Sequence, residues 1–187
     1  MTSGELETRA PAERAALRSV ADLLGRLLLK EVEASDIERL REVELAAALA
    51  DLGVTLPEPT DQETWLEQRG ADYHDLFLRP EVGPLVQSLW TQGRYEGDAC
   101  VRVRQLAQAA AVEFQRSAAR GAAVDHLGCL LLLWSATDEP ARPVADEIRA
   151  AHLSWAREPL QRIEAAGGFY GALASITREL IDALEAL

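Results

Sequence analysis

Residues 124–134 read Val-Asp-His-Leu-Gly-Cys-Leu-Leu-Leu-Leu-Trp, which is the longest apolar run of the chain, joined to an Asp-His pair. A membrane-spanning helix needs about 20 apolar residues, so this shorter run predicts a helix that is buried on nearly all sides. Asp125 stands where an N-cap residue belongs, because its carboxylate can accept the free N–H groups of a first helical turn. His126 is interpreted first as a hydrogen-bonded structural residue and second as a ligand-binding one. The stretch therefore predicts a central helix around which the rest of the chain packs.

The rest of the chain is dominated by helical patterns. Its 187 residues are 48% hydrophobic, with few runs of β-branched residues, and they contain no convincing strand. Apolar spacings of three and four, together with capping residues, predict where the other helices begin. These starts lie near Pro11, Ser35, Thr60, Asp98, Pro143 and Phe169. We expect a single domain over residues 1–187, an all-α bundle of six to seven helices.

Residues 79–97 interrupt the helical pattern with two prolines and three glycines. These helix-breaking residues predict a long ordered loop with one helical turn near Trp90.

Trp65 and Trp134 are expected in the core, as aromatic residues at helical spacing usually are. Trp90 and Trp155 are better placed to line a binding groove, because Trp is enriched at binding hot spots.

The net charge of −12 is concentrated in one segment. Residues 31–67 hold eleven acidic and two basic side chains, a local charge of −9. Nucleic acids and anionic lipids bind to basic surfaces, so this composition predicts neither of them as a partner. A solvated helix face explains most of these carboxylates, although the same negative field would attract a basic peptide.

The first residues and the cysteines favour a cytoplasmic location. The N-terminal stretch is polar and carries acids, and it lacks the apolar or Arg-rich pattern of a targeting signal. Cys100 and Cys129 are not in a C-x-x-C motif and are predicted to be reduced, small core residues. We expect no membrane insertion and no redox role.

Three histidines, His74, His126 and His152, leave an enzymatic alternative open, because two of them adjoin an aspartate. A metal-dependent helical phosphohydrolase uses such His-Asp pairs to hold ions that activate water. Sites of that kind recruit more His and Asp residues than this chain supplies, so we expect neither an enzyme nor a cofactor. A structural helical dimerisation module is a further alternative, and the sequence leaves the oligomeric state open.

Several short motifs occur in an order that resembles a known family. Residues 73–77 (Tyr-His-Asp-Leu-Phe) are similar to a Tyr-x-x-Leu-Phe element, and residues 84–90 are similar to a Pro-x-x-Glu-Ser-x-aromatic loop. Residues 125–127 match an Asp-His-Leu/Ile helix start. Residues 152–159 approximate a His-Leu-x-x-Trp-x-Pro spacing, and Phe-Tyr at 169–170 opens a final helix.

The family with these motifs is that of the TorD/DmsD-like chaperones, which assist the cytoplasmic maturation of molybdenum-containing oxidoreductases. The resemblance implies a cofactor-free, all-helical protein that binds the twin-arginine signal peptide, the apo form of a molybdoenzyme subunit, or both before export. The peptide-binding residues that it implies are Tyr73, Phe77, Pro84, Gln87, Ser88, Trp90, Asp125, His126, Leu127, His152 and Trp155. In two places the chain departs from the family, since Gln87 and Leu130 stand where the family usually has glutamate. If those carboxylates bind the basic signal peptide of the client enzyme, this protein must use other carboxylates.

Overall fold

The computed structural model describes residues 3–42, 45–78, 84–115 and 121–187, with side chains from residue 13 onward apart from that of Glu42. Within these ranges the regular elements are helical, and the one extended pairing is an isolated antiparallel bridge between Val86 and His126. The predicted all-α class is therefore confirmed for this part of the chain. No helix described here combines the length and the apolar character that crossing a bilayer requires.

The described residues form more α-helices than the six to seven that the sequence predicts, in ten described segments. They are α1 (Ser3–Leu29), α2 (Ala34–Glu42), α3 (Leu45–Asp51), α4 (Gln62–Tyr73), α5 (Gln87–Gln92), α6 (Asp98–Ala109), α7 (Leu127–Ala136), α8 (Arg142–His152), α9 (Arg157–Ala166) and α10 (Gly168–Glu185). A π-helical turn, His74–Leu78, continues α4, and a 3₁₀ turn, Ser154–Ala156, precedes α9.

The prediction of six to seven helices was too low because of two segments, the one with α5 and the one with α8 and α9. The helix predicted from Ser35 is described as α2 and α3, on either side of residues 43–44, which fall outside the described residues. The loop predicted over residues 79–97 contains α5, which exceeds the single turn expected near Trp90, while its residues 79–83 also fall outside the description. The helix predicted from Pro143 is divided by the 3₁₀ turn into α8 and α9.

The break between α8 and α9 lies upstream of Pro159, although proline is the residue type that usually ends or kinks a helix. Since α9 begins at Arg157, Pro159 occupies its first turn, where backbone N–H groups have no helical acceptor and a missing donor costs little. The break leaves the His152 carbonyl free of the helix, and the Trp155 indole Nε1 donates to it at 2.8 Å. The 3₁₀ turn thus anchors Trp155 beside His152.

Helix α7 is the central helix that the sequence predicts, and seven of its ten residues are buried. Helix α1 crosses it at very short range. A Cβ atom added to Gly128 would lie 2.5 Å from the Gly25 carbonyl oxygen and 2.6 Å from the Leu29 Cγ. A Cβ atom added to Gly25 would lie 2.9 Å from the Gly128 carbonyl oxygen. The two glycines therefore allow the two backbones to touch.

Helix α10 closes the other side of the core against α9. Its buried face begins with Phe169 and Tyr170 and continues to Leu184. The chain reverses between α9 and α10 at Gly167 and Gly168, whose φ angles of 71° and 67° are rarely adopted by residues with a side chain. Both cysteines are buried and unpaired, as their spacing predicts.

Candidate functional site

The segment that carries α5 is fixed to the start of α7 by backbone hydrogen bonds. The Gln87 N–H donates to the Asp125 carbonyl at 3.0 Å, and the Leu127 N–H donates to the Leu85 carbonyl at 2.8 Å. These two bonds flank the antiparallel bridge between Val86 and His126. Two of the predicted motifs, residues 84–90 and residues 125–127, are therefore adjacent although more than thirty residues separate them in the sequence.

Asp125 caps α5, whereas the sequence predicts that it caps α7. Its carboxylate is fully buried, and its Oδ2 accepts the Ser88 backbone N–H at 2.8 Å. The prediction was wrong because residue 126, not 125, is the last one before the helical turn, so the carboxylate points to the neighbouring segment. Within the described residues, Asp125 Oδ1 and Ser88 Oγ have no hydrogen-bond partner. Burial, followed by the nearby Asp125 carboxylate, raises the pKa of Cys100.

His126 is the N-cap residue of α7. Its Nδ1 accepts the Gly128 N–H at 3.1 Å, so Nδ1 is unprotonated and the neutral ring carries its proton on Nε2. Burial lowers the pKa of His126 to about 4, and the adjacent Asp125 carboxylate offsets only part of this effect. The structural role, preferred on the sequence, is the one that this geometry supports.

Gln87 links α5 to the end of α8. Its Oε1 lies 2.8 Å from His152 Nδ1, and its Nε2 donates to the Ala151 carbonyl at 3.2 Å. An amide oxygen can only accept, so His152 donates from Nδ1. Burial lowers the pKa of His152, in spite of the opposing Glu147 carboxylate, and so favours the neutral imidazole. The third motif thus joins the first two through a pair of neutral side chains.

Trp90 and Trp155 are both half-buried, with their rings held by backbone carbonyls. The Trp90 Nε1 donates to the Pro84 carbonyl at 3.0 Å, and the Trp155 Nε1 donates to His152 as described above. The Arg162 guanidinium covers one face of Trp90, with its carbon 4.9 Å from the ring centroid. Nine of the eleven predicted site residues therefore belong to one assembly, which we call the α5–α7–α8 junction. Its members are Pro84, Gln87, Ser88, Trp90, Asp125, His126, Leu127, His152 and Trp155.

Tyr73 and Phe77 lie instead in a separate aromatic cluster with residues of α4 and α10. Their ring centroids are 4.7 Å apart, and each ring contacts that of Tyr170, at 5.6 Å and 5.4 Å. Phe169 extends the cluster to Trp65, which is only partly buried. The Tyr170 hydroxyl accepts the Val32 N–H at 3.3 Å, which ties the cluster to the segment after α1. The predicted site residues are thus divided between two places.

A cleft of about 280 Å³ opens beside the aromatic cluster. It is lined by Asp72, Asp75 and Leu76, by residues 166–168 and by Tyr170. Arg69 pairs with Asp72 at 2.7 Å and also lies over the Trp65 ring. Leu78, two residues beyond Leu76, is 61% exposed. The cleft combines carboxylates with apolar surface.

The sequence does not predict two of the contacts at the junction. Arg162 stacks on Trp90, and Arg102 forms a bidentate ion pair with Glu147 at 2.5 Å and 2.6 Å, close enough to His152 to influence its titration. Both pairs join segments distant in the chain, and no local spacing in the sequence indicates them.

The His-Asp pairs do not converge on a common point. His74 is exposed with its Nδ1 3.6 Å from Asp75, while His126 caps α7 and His152 binds Gln87. Across the described ranges, no three His, Cys, Asp or Glu side chains are grouped closely enough to hold a metal ion. Comparison of the chain with protein-family models, with curated proteins and with solved structures finds no match.

Proposed function

We propose that this protein is a chaperone of the TorD/DmsD-like kind, which binds the twin-arginine signal peptide or the apo form of a molybdenum-containing oxidoreductase before export. The observation that supports this proposal most strongly is the α5–α7–α8 junction. Three motifs that resemble family motifs are far apart in the sequence, yet hydrogen bonds between Ser88 and Asp125 and between Gln87 and His152 join them. Chance matches of short motifs would have no reason to meet in one network.

The surface has the two properties that such a client requires. A twin-arginine signal joins a basic end to an apolar stretch, so its receptor needs carboxylates near apolar surface. The net charge of −12 supplies a negative field, and the cleft beside the aromatic cluster places Asp72 and Asp75 next to Leu76. Trp90, at the junction, offers a half-buried aromatic side chain whose orientation is fixed.

The two departures from the family pattern have physical explanations. Leu130 is fully buried, and a carboxylate at this position would have to lose its hydration inside an apolar core. Gln87 pairs with a neutral His152, so the junction holds together without a charge at residue 87. In the proposed function, the carboxylates that attract the client therefore lie elsewhere, and we assign this role to Asp72, Asp75 and the exposed Glu158.

The experiment is a calorimetric titration of the full-length protein with twin-arginine leaders of candidate oxidoreductases. We expect saturable one-to-one binding that weakens as salt rises and then levels off, because exposed charges are screened over a Debye length of about 8 Å while apolar burial persists. Replacing the arginine pair of the leader by Gln-Gln should weaken binding about tenfold, since charge-assisted hydrogen bonds are lost.

A Lys-Lys leader is the matched control, because it keeps the charge and loses the planar guanidinium groups. It should bind with intermediate affinity. Equal affinity for the Arg-Arg and Gln-Gln leaders, or no saturable binding of any twin-arginine leader, would refute the proposal.

A further inference from the structure

Arg162 lies over one face of the Trp90 ring in the free protein. The guanidinium carbon lies 4.9 Å from the ring centroid, and Arg162 Nη2 is 2.6 Å from Glu158 Oε1, one turn earlier on α9. The guanidinium is therefore held by an aromatic face on one side and by a carboxylate on another. These are the two groups that recognise a planar cation in proteins.

The aromatic half of this arrangement is rigid. The Trp90 ring is fixed through its Nε1 to the Pro84 carbonyl, and α5 is in turn fixed through the Ser88 N–H to the buried Asp125. The position of the ring does not depend on Arg162, because both bonds involve other residues. A cation that replaces Arg162 would find the ring already oriented, so little ordering cost would accompany its binding.

The Arg162 side chain, by contrast, is held weakly. Its side chain is half-exposed, that of Glu158 is 66% exposed, and surface ion pairs of this kind contribute little to stability. An exposed cation–π contact favours the stacked position by only about two- to fivefold over the open one. Arg162 can therefore be displaced by a cation that gains further contacts elsewhere on the protein.

We propose that Trp90 and Glu158 form a guanidinium-binding subsite that Arg162 occupies in the free protein and that an arginine of the client takes over. This inference rests on the proposed function, because it assigns one arginine of a basic peptide to a defined place. Arg162 is then an internal competitor that reduces the affinity of the empty protein for arginine-containing segments.

The first test compares Arg162→Ala with Arg142→Ala in binding a twin-arginine leader. Arg142 is an exposed arginine on α8 that pairs with Asp146 at 4.0 Å, one turn away, and its substitution removes the same charge. General attraction to a basic peptide therefore changes equally in both variants. Loss of the internal competitor should tighten binding about three- to sixfold in Arg162→Ala. We expect little change in Arg142→Ala beyond the shared charge effect.

A second measurement is independent of any leader. The indole N–H resonance of Trp90, assigned by its disappearance in Trp90→Phe, is followed while N-acetyl-arginine amide is added. It should shift at lower ligand concentration in Arg162→Ala than in the wild type, and lysine amide should be less effective. No shift in either protein, or an affinity for the leader that is unchanged or reduced in Arg162→Ala relative to Arg142→Ala, would overturn the subsite.

The two proposals fail in distinguishable ways. A wild-type protein that binds no leader, with a Trp90 resonance that still responds to arginine amide in Arg162→Ala, would refute the chaperone function and retain the subsite. A wild-type protein that binds the leader with full dependence on the arginine pair, without any gain in Arg162→Ala, would refute the subsite and retain the function.

Discussion

The two neighbourhoods of α7 are held together by different interactions, close apolar packing in one and hydrogen bonds in the other. Along its length the helix meets α1 through an apolar crossing at which Gly25 and Gly128 bring the backbones into contact. At its start, Asp125 accepts a hydrogen bond from α5, His126 caps α7 itself, and Gln87 joins α5 to the end of α8. The first neighbourhood excludes any added volume, whereas the second depends on the hydrogen bonds that join its segments. Variants should therefore fail at the crossing by steric overlap and at the junction by unsatisfied polar groups.

The largest effect is expected at the glycine crossing. Gly128→Ala places a Cβ 2.5 Å from the Gly25 carbonyl oxygen, so the helices must separate. We expect a loss of at least about 3 kcal/mol in the free energy of unfolding, measured by urea denaturation.

Gly70→Ala on α4 is the matched control. A Cβ at this position meets the flexible end of Glu31 at 3.2 Å, and alanine is the better helix former. This variant should unfold within about 1 kcal/mol of the wild type. Equal losses of unfolding free energy in Gly128→Ala and Gly70→Ala would show that the close approach of α1 and α7 does not require a glycine.

Acid should lower the free energy of unfolding, through His126, by about as much as Gly128→Ala does. The pKa of His126 is about 4 in the folded protein, below its unfolded value of 6.5, so the unfolded chain takes up a proton first as pH falls. Stability contributed by neutral His126 is complete above pH 6.5 and is lost progressively down to about pH 4, by about 3 kcal/mol. Denaturation of the wild type and of His126→Asn across this range measures it. Asparagine can still cap α7 but does not titrate, so a wild-type loss no larger than that of the variant would contradict this account.

A smaller effect is expected for the α5 cap. Asp125→Ala leaves the buried Ser88 N–H without an acceptor, at a cost of about 2 kcal/mol in the free energy of unfolding. Ser88→Ala should be within about 0.5 kcal/mol of the wild type, because the backbone N–H makes the bond and Ser88 Oγ is buried without a partner. If Ser88→Ala is the more damaging of the two in denaturant titrations, the Ser88 hydroxyl has a role that these contacts do not show.

The smallest effect is expected in the protonation of the His152 imidazole. Gln87→Glu places a carboxylate beside His152 Nδ1, which favours the charged imidazole, so the pKa of His152 should rise by about 1 unit or more. The ion pair between the introduced carboxylate and His152 should then be present below the new pKa and be lost as pH rises through it. Titration of the His152 ring resonances by NMR measures the change, and an unaltered pKa would mean that the two side chains do not face each other in solution.

The sequence predicts the apolar neighbourhood better than the polar one. Helical spacing and the Leu-rich run specify α1 and α7 because burial follows residue type and period. The cap of α7 was misassigned because Asp and His both accept hydrogen bonds, and nothing local determines which of two neighbours precedes the helix. Arg162 on Trp90 was missed because such a contact depends on how α9 packs, which local pattern does not encode. The family resemblance likewise groups eleven residues as peptide-binding, whereas Tyr73 and Phe77 lie in a separate cluster.

Hydrogen–deuterium exchange of the full-length protein, with and without a saturating twin-arginine leader, tests the central claim most directly. If the polar neighbourhood of α7 carries the client surface, protection should increase in α5 and at the start of α9, where Trp90 and Glu158 lie, while the α1–α7 crossing stays unchanged. Protection confined to other helices at saturation, or an unchanged exchange pattern while the leader is bound, would contradict it.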